Sequence, residues 1–307
     1  MQHNKKIIVS SADSKYFNLL MELINSIKDN NLIEEYDIGI LDTGLTVKEI
    51  DILKNIGAII EKAKWDIQVP DYKVRGRNHL KPQFARAFIP DYFTGYKVYI
   101  WLDADTWINH KDTFLFFEQG CKKNKLCITP QTDRAYGKFA KIDWFMGFPR
   151  RIKTINYKNI SKSISFKEGR KYAMYPTLNA GAFSINDNSE IWKCFQKNII
   201  LASKKGRIFG TDQVALALSV YKDNLPVEFL PAYTNWMCEF KMPLIESEKN
   251  IFVEPYIPYH PIRVMHLAGL DEIRKNRELL SNTKDLSGVN FKISLRYKNL
   301  TTDLFNV

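Results

Sequence analysis

The stretch that decides the fold is Tyr96–Ile108, which reads Y-K-V-Y-I-W-L-D-A-D-T-W-I. Its apolar part, Val98–Leu102, has no polar alternation, which is typical of a strand buried on both faces of a parallel sheet. Two carboxylates, Asp103 and Asp105, follow at once. Open α/β sheets bind ligands at the carboxyl ends of their strands, so we expect these two acids to lie at a binding site.

Asp103 and Asp105 have the spacing at which the side chains of an extended segment point the same way. Two converging carboxylates repel each other unless a cation lies between them. Mg²⁺ and Mn²⁺ suit such a pair, because they take one or two protein carboxylates together with substrate phosphates. The pair therefore predicts a divalent-metal site. A solvated Asp-rich turn is the alternative.

Short apolar strands and amphipathic helices alternate along the rest of the chain. We predict strands at 6–9, 37–41, 58–60, 98–102, 126–129, 178–185, 227–230 and 262–267, and helices at about 15–28, 46–56, 112–121, 189–203 and 211–221. A further helix begins at Pro82 and includes Arg86 and Ile89. This alternation indicates βαβ units, and hence an α/β fold with a mostly parallel sheet flanked by helices.

The charge of the chain is unevenly distributed. Its 307 residues carry a net charge of +11, which favours an anionic partner such as a nucleotide, a nucleic acid or a membrane surface. Residues 138–171 contain ten Lys or Arg against two acids, interleaved with aromatic residues that include Trp144 and Phe148. We expect this segment to contact an anionic acceptor or an anionic membrane surface; a solvated basic loop is the alternative.

Several function classes lack their sequence signatures. The four cysteines fit no zinc or redox spacing, and the first strand is followed by neither G-x-G-x-x-G nor a P-loop. Charge alone leaves a nucleic-acid-binding protein as an alternative, but no RNA-recognition, KH or zinc-finger pattern supports it. We expect no nucleic-acid partner. Neither a signal peptide nor a membrane-spanning run is visible, so we expect a cytoplasmic protein, peripheral on the inner face of the cell membrane.

Four further polar residues stand where predicted elements begin or end, and a fifth, Arg86, lies within the predicted helix from Pro82. His266 ends an apolar strand and could add a nitrogen ligand to the carboxylate pair, or be a satisfied core histidine. Asp212 and Gln213 begin a helix and could bind a polar ligand, although helix capping is equally consistent with Asp212. Arg86 could neutralise a phosphate or extend to solvent, and Asp13 could cap a helix or contact a ligand.

Taken together and in this order, these residues resemble the nucleotide-sugar glycosyltransferases of GT-A fold. The chain looks most like the retaining bacterial and glycogenin-like group, which builds oligosaccharides from UDP-sugars. The resemblance spans roughly residues 6 to 270 and rests on Ala12-Asp13 with Tyr16, Ala85-Arg86, Leu102-Asp103-Ala104-Asp105, Asn179-Ala180-Gly181, Asp212-Gln213, and His266 with Gly269. It implies a GT-A-like, Rossmann-like sheet with an acceptor-side subregion.

The resemblance also implies roles for the matching residues. Asp103, Asp105 and His266 would hold Mn²⁺, or Mg²⁺, against the donor diphosphate. The implied cofactor-binding residues are Ala12, Asp13, Tyr16, Arg86, Asp103, Ala104, Asp105, Asn179, Ala180, Gly181 and Gly269, and the implied catalytic residues are Asp212 and Gln213. The family's basic and aromatic residues after the H-x-x-G motif are not found here, and Arg274 or Lys275 could substitute for the basic residue.

The implied activity is metal-dependent transfer of a sugar from a nucleotide donor, a UDP-sugar, to a glycan or lipid-linked saccharide of a cell-surface polysaccharide. The resemblance favours retention of configuration; inversion would require a base such as Asp212. A catalytically silent sugar-nucleotide-binding protein is the alternative. We expect one domain over residues 1–307, with a nucleotide-binding half at 1–108, a donor-sugar and acceptor half at 109–270, and a charged C-terminal tail at 271–307.

Overall fold

The computed structural model describes residues 6–137 and 140–297. The strands are β1 (Lys6–Asp13), β2 (Asp37–Gly44), β3 (Ile59–Lys62), β4 (Val98–Leu102), β5 (Thr106–Ile108), β6 (Leu126–Pro130), β7 (Lys141–Phe145), β8 (Phe148–Lys153), β9 (Leu178–Asn186), β10 (Val227–Phe229), β11 (Trp236–Met237), β12 (Leu244–Glu246), β13 (Ile251–Val253), β14 (Val264–His266), β15 (Leu280–Lys284) and β16 (Asn290–Ser294). The helices are α1 (Phe17–Asp29), α2 (Val47–Asn55), α3 (Asp71–Val74), α4 (Pro82–Ala85), α5 (Ile89–Tyr92), α6 (Thr113–Gly120), α7 (Ile155–Ser163), α8 (Phe166–Lys171), α9 (Ile191–Lys205), α10 (Thr211–Tyr221) and α11 (Asp271–Lys275).

A seven-stranded sheet in the order β10-β6-β9-β4-β1-β2-β3 forms the centre of the fold. Four of its pairs are parallel, namely β10–β6, β4–β1, β1–β2 and β2–β3, whereas β9 is antiparallel to both β4 and β6. The predicted mostly parallel α/β sheet is therefore confirmed. The reversed direction of β9 has a consequence for the site, because it places the start of β9 beside the end of β4.

The central strand β4 is buried on both faces, as its unbroken apolar sequence predicts. Tyr99 and Trp101 pack in one core cluster, together with residues of α9 and α10. Ile100 and Leu102 pack in the cluster on the other face, which includes residues of α1 and α6. Both layers of helices thus hold β4 rigidly, and the residues that follow it begin from a fixed position.

A second, three-stranded sheet in the order β11-β14-β5 continues from the end of β4. The chain leaves the first sheet after Leu102, turns, and enters β5, which pairs antiparallel with β14. In this register His266 lies opposite Thr106. The junction between the two sheets therefore brings the strand-end histidine next to the Asp103–Asp105 turn.

The predicted helix from Pro82 is interrupted. Two short helices, α4 and α5, replace it, and Arg86 lies at the end of α4 instead of inside a longer helix. Pro90 explains the break, because proline has no N–H to donate and its ring clashes with the carbonyl four residues earlier, here that of Arg86. The side chain of Arg86 lies against β4, with its guanidinium over the Trp101 ring.

The basic segment is more ordered than its weak periodicity suggests. It contains the β7–β8 hairpin and the helices α7 and α8, while Lys138 and Phe139 lie outside the described residues. Both helices have a side-chain N-cap: Thr154 accepts from the N–H of Tyr157, and Ser165 accepts from that of Glu168. Hydrophobic periodicity does not reveal these helices, because their caps and tertiary contacts define them.

The charged region after residue 270 also has defined structure. It begins with α11 and continues as the β15–β16 hairpin, and residues 298–307 lie outside the described range. Arg277, which follows α11, donates two hydrogen bonds to Glu22 on α1, of 2.9 and 2.6 Å. Across the described ranges, no helix combines the length and apolar character that crossing a bilayer would require.

Candidate active site

A cleft of about 280 Å³ opens at the carboxyl ends of β1, β2 and β4. This is the edge of the sheet at which α/β folds bind ligands. Of the residues predicted from the sequence, the cleft is lined by Ala12, Asp13, Tyr16, Arg86, Asp103, Ala104 and Asp105; Thr43, His79, Gln83, Phe209 and Arg274 also contribute. The structure thus brings together the sequence motifs that follow β1 and β4.

Asp103 is fixed at the floor of the cleft by groups from three segments. Its Oδ1 accepts a 2.8 Å hydrogen bond from Nε1 of Trp101 and a 3.1 Å bond from Nη2 of Arg86. Its backbone N–H donates to the carbonyl of Gly181 at the start of β9. The guanidinium of Arg86 also stacks over the Trp101 ring, 4.6 Å from its centre. Asp103 is therefore preorganised, with part of its carboxylate still exposed.

Asp103 and Asp105 converge, but they do not do so as alternate residues of one extended strand. The N–H of Thr106 donates to the carbonyl of Asp103, which closes a turn between β4 and β5. The turn forms because the chain passes from one sheet to the other at this point. The backbone of Asp105 is held by the N–H of Leu267. Asp105 itself is buried and accepts a 2.7 Å hydrogen bond from Nη1 of Arg274.

His266 completes a group of three potential metal ligands with Asp103 and Asp105. One ligand atom from each residue lies within 4.8 Å of the other two. Within residues 6–137 and 140–297, no other group of three or more His, Cys, Asp or Glu residues has such geometry. Nε2 of His266 is buried without a hydrogen-bond partner in that part of the chain, while Nδ1 lies 3.0 Å from Oδ1 of Asn235. With Nδ1 donating to Asn235, Nε2 keeps a lone pair directed at the carboxylates, as in a metal-ligating histidine. The residues present therefore fit a divalent cation.

Gly181 is required by the close approach of His266. A Cβ at this position would lie 2.3 Å from Cε1 of His266 and 3.0 Å from Oδ2 of Asp103. The first distance is impossible unless His266 moves, and the second is tighter than most contacts that a Cβ makes. A glycine within a strand often marks a close approach of other groups, and here Gly181 leaves the space that His266 and Asp103 occupy.

A buried ion pair lies directly beneath the carboxylates. Nη1 of Arg86 is 2.5 Å from Oδ2 of Asp212 and also donates to the carbonyl of Ala180. The side chains of Arg86 and Asp212 are 4% and 3% exposed. Burial raises the pKa of the Asp212 carboxyl, and the adjacent Arg86 opposes that effect. Asp212 is not a helix cap, because α10 is capped by Gly210 without a side-chain hydrogen bond.

Two polar atoms near this ion pair lack a well-aligned partner among the described residues. They are Oδ1 of Asp212 and Nδ2 of Asn179, and both belong to buried side chains. Oδ1 of Asn179 accepts from the N–H of Gly181, which leaves its amide group as a donor. Neither side chain lines the cleft. Buried polar groups without partners cost stability, so this acceptor and this donor could bind hydroxyls of a ligand that reached them.

The opposite end of the cleft is formed by the turn after β1. Oδ1 of Asp13 accepts from the N–H groups of Lys15 and Tyr16. Ala12 is buried beside it, and Tyr16 faces the cleft with the guanidinium of Arg274 5.8 Å from its ring centre. Burial raises the pKa of Tyr16. This end offers an aromatic face and a carboxylate, the kinds of groups that can contact a nucleobase.

Two predicted site residues lie elsewhere. Gln213 lines a neighbouring cavity with residues of α7, and not the cleft around Asp103. Gly269 adopts a φ of +82°, and a Cβ there would lie 2.0 Å from Oε2 of Glu239. The positive φ favours glycine here, whereas the exposed carboxylate of Glu239 can move aside.

Three contributors to the site were missed or left open. Trp101 precedes Asp103 by two residues, so strand alternation could have identified it. Arg274 was one of two candidates, and the structure distinguishes them because Arg274 lines the cleft and Lys275 does not. Asn235 has no signal in the sequence, since it reaches His266 only through the pairing of β11 with β14.

Comparison with known proteins agrees with this geometry. Residues 7–192 match the family model described as glycosyl transferase family 8. Comparison with curated protein sequences finds no match. Among solved structures, the galactosyltransferase LgtC in complex with donor and acceptor sugar analogues has a TM-score of 0.50 and 18% identity, over 86% of this chain and 87% of that chain.

Two other solved structures have the same fold. The apo structure of the bifunctional glycosyltransferase WbbM has a TM-score of 0.51 and 15% identity, over 86% of this chain and 46% of WbbM. Apo GlyE from Streptococcus pneumoniae TIGR4 has a TM-score of 0.51 and 17% identity, over 88% and 56% of the respective chains. The chain thus spans about half the length of these two proteins.

These likenesses identify the fold as GT-A, the fold expected from the resemblance in sequence. The family match covers more than half of the chain, including the Asp103–Asp105 turn and Gly181. This chain belongs to glycosyl transferase family 8.

Proposed function

We propose that this enzyme transfers a sugar from a UDP-sugar to a glycan or lipid-linked saccharide of a cell-surface polysaccharide, with Mn²⁺ or Mg²⁺ bound at the site. The convergence of Asp103, Asp105 and His266 at the floor of the cleft carries this proposal. Two carboxylates and one imidazole form a mixed oxygen and nitrogen donor set that suits Mn²⁺. The solved structure of the galactosyltransferase LgtC, in complex with donor and acceptor sugar analogues, supports the same class of reaction.

Asp103, Asp105 and His266 would hold the metal ion. When bound, it would supply Lewis-acid stabilisation of the charge that develops on the departing diphosphate. Arg274 would add a cation on the same side, because its guanidinium already lies against Asp105 at the edge of the cleft. Fixed positive groups aimed at developing negative charge lower the barrier most when they need no reorganisation.

The other side chains have roles in binding and orientation. Asp13, with Ala12 beside it, would contact the nucleobase, with Tyr16 packed near it. Arg86 would orient Asp103 and Asp212 and contact the diphosphate or donor sugar. The unpartnered atoms of Asn179 and Asp212 would bind sugar hydroxyls, and Ala104, Ala180, Gly181 and Gly269 would shape the backbone around them.

Retention of configuration is the stereochemical outcome that we propose. An inverting enzyme needs a carboxylate base exposed to the acceptor hydroxyl. Asp212 is the candidate for that base, yet it is buried and paired with Arg86. In retention the leaving phosphate can accept the acceptor proton on the same face. Gln213 would then contact the acceptor near the anomeric carbon from the neighbouring cavity.

The basic segment supports a location at the inner face of the cell membrane. Trp144, Phe145, Met146 and Phe148 at the end of the β7–β8 hairpin are all more than half exposed. Exposed aromatic residues next to lysine and arginine are suited to anionic lipid headgroups. On this proposal residues 1–108 form the nucleotide-binding half of a single domain, residues 109–270 form the donor-sugar and acceptor half, and the charged tail at 271–307 supplies Arg274.

Nucleotide-sugar turnover tests the proposed function. UDP- and GDP-sugars would be screened with Mn²⁺, Mg²⁺ and EDTA by thermal shift and by slow hydrolysis. We expect one UDP-sugar to stabilise the protein only with metal and to be hydrolysed slowly without acceptor. Binding without any turnover would instead favour a silent sugar-nucleotide-binding protein, and undiminished turnover in EDTA would contradict the metal site.

A further inference from the structure

Beside the donor cleft lies a second cavity of about 370 Å³, and the charged side chains that line it are Lys158, Lys162 and Arg207. We infer that this cavity binds an anionic group of the acceptor saccharide, a phosphate or a carboxylate. The inference rests on the proposed function and specifies the chemical class of its acceptor. Three like charges around one cavity repel one another, and an anion between them relieves that repulsion.

Two of the three cations lie on α7, and the third follows the end of α9. Lys158 and Lys162 are four residues apart on α7, so they lie on the same face of the helix. Arg207 follows α9, where Gly206 packs so tightly on α7 that a Cβ would lie 2.4 Å from Oγ of Ser163. The close packing of α9 on α7 at this point fixes Arg207 beside the lysines.

The cavity is connected to the donor cleft through the start of α10. The ring of Phe209 is 77% exposed and lines both spaces. The N–H of Gly210 donates a 2.9 Å hydrogen bond to Oε1 of Gln83, which lines the donor cleft. Gln213 lines the basic cavity one turn farther along. An acceptor held there by an anionic group would therefore reach the donor past Phe209 and Gln213.

The charges of this cavity are uncompensated by the protein. In the part of the chain that the structure describes, Lys158, Lys162 and Arg207 make no ion pair, although carboxylates elsewhere pair readily with lysine and arginine. On the far side of Phe209, Arg207 also lines a cavity of about 480 Å³ with Arg75 and Arg77. The positive potential thus extends around Phe209, which favours an anionic ligand over a neutral one.

The experiment measures acceptor-side binding with the donor cleft filled. The protein is saturated with Mn²⁺ and UDP, or GDP if only that binds, and titrated with glucose 1-phosphate, glucuronate and neutral methyl glucoside. A Lys158→Gln/Lys162→Gln variant is compared with Lys167→Gln/Lys171→Gln, which removes two exposed lysines at the same spacing on α8. We expect one anionic sugar to bind at least about tenfold more tightly than methyl glucoside, since charge-assisted hydrogen bonds are the stronger ones.

The lysine variants distinguish binding at this cavity from a general effect of the positive charge of the protein. We expect Lys158→Gln/Lys162→Gln to weaken binding of the anionic sugar about tenfold and to leave nucleotide binding unchanged, whereas the α8 variant binds like the wild type. Preference for the phosphate or for the carboxylate identifies the anion. Equal binding of charged and neutral sugars, or the same loss in both variants, overturns the inference alone. Failure of every nucleoside diphosphate to bind with Mn²⁺ overturns the proposed function.

Discussion

The donor cleft and the basic region formed by β7, β8 and α7 differ in whether their charged side chains are paired within the protein. In the cleft, Asp103 and Asp212 are held by Arg86, and Asp105 is held by Arg274. In the basic region, exposed cations line a cavity without carboxylates, and aromatic side chains project into solvent. Buried charges must be paired within the protein, whereas exposed ones need not be. The donor site is therefore preformed, and the acceptor side is suited to being completed by its ligand.

The largest effect should come from breaking the donor cleft at its carboxylates. Replacing Asp103 or Asp105 with Asn should lower kcat/KM for sugar transfer about 10³-fold, because each change removes a proposed metal ligand and a charge that orients an arginine. Steady-state kinetics with Mn²⁺ measures this loss. Asp51→Asn on exposed α2 is the control and should behave as the wild type. Near-normal rates in either site variant would contradict the metal role.

A purely steric change tests the same proposed metal site. Gly181→Ala introduces a Cβ into the space of His266, so His266 must move away from the carboxylates. We expect Mn²⁺ affinity to fall by about 10- to 100-fold, as it does when the support of a metal ligand is lost. Calorimetric titration of Mn²⁺ measures the loss. Gly137→Ala is the matched control, because a Cβ there meets no atom of the described residues within 4 Å. Equal affinities in the two variants would mean that His266 does not bind metal.

The cation at the edge of the cleft should have a smaller effect. Arg274→Gln should raise KM for the nucleotide-sugar about tenfold, since it removes a charge-assisted contact to the diphosphate while the metal ligands remain. The adjacent variant Lys275→Gln is the control, because Lys275 is exposed and does not line the cleft. Donor kinetics would separate the two. A larger rise of KM in Lys275→Gln than in Arg274→Gln would contradict the assignment of the diphosphate contact to Arg274.

Substitutions in the β7–β8 hairpin should have the smallest effect on catalysis, and they test the basic region most directly. Trp144→Ser/Phe148→Ser should lower binding to anionic vesicles about tenfold, because apolar area is lost from the membrane contact. Hydrolysis of the donor in solution should not change. Phe166→Ser on α8 removes an equally exposed ring outside the hairpin and should bind vesicles normally. Co-sedimentation that is the same for all three proteins would exclude the hairpin as the contact.

Much of the fold was predictable because its signals are local. The apolar run Val98–Leu102 identified the central strand, which exists as predicted. The capping box of Thr46 and Glu49 at the start of α2 is likewise local in sequence. The break at Pro90 also has a local cause, although its effect on Arg86 was not anticipated. Apolar periodicity could not identify α7 or the β7–β8 hairpin, because their outer faces remain polar or bear exposed aromatic residues.

The sequence by itself determined the chemistry of this protein: two carboxylates after a buried strand, a strand-end histidine, and the arginine and asparagine that accompany them. Only the tertiary structure decided which of these meet. The antiparallel β9 brings Gly181 to Asp103, the pairing of β14 with β5 brings His266 to Asp105, and α11 brings Arg274 to the same carboxylate across 169 residues. Residue types fix which bonds are possible, but strand direction and register fix the distances, and these depend on the packing of the whole chain.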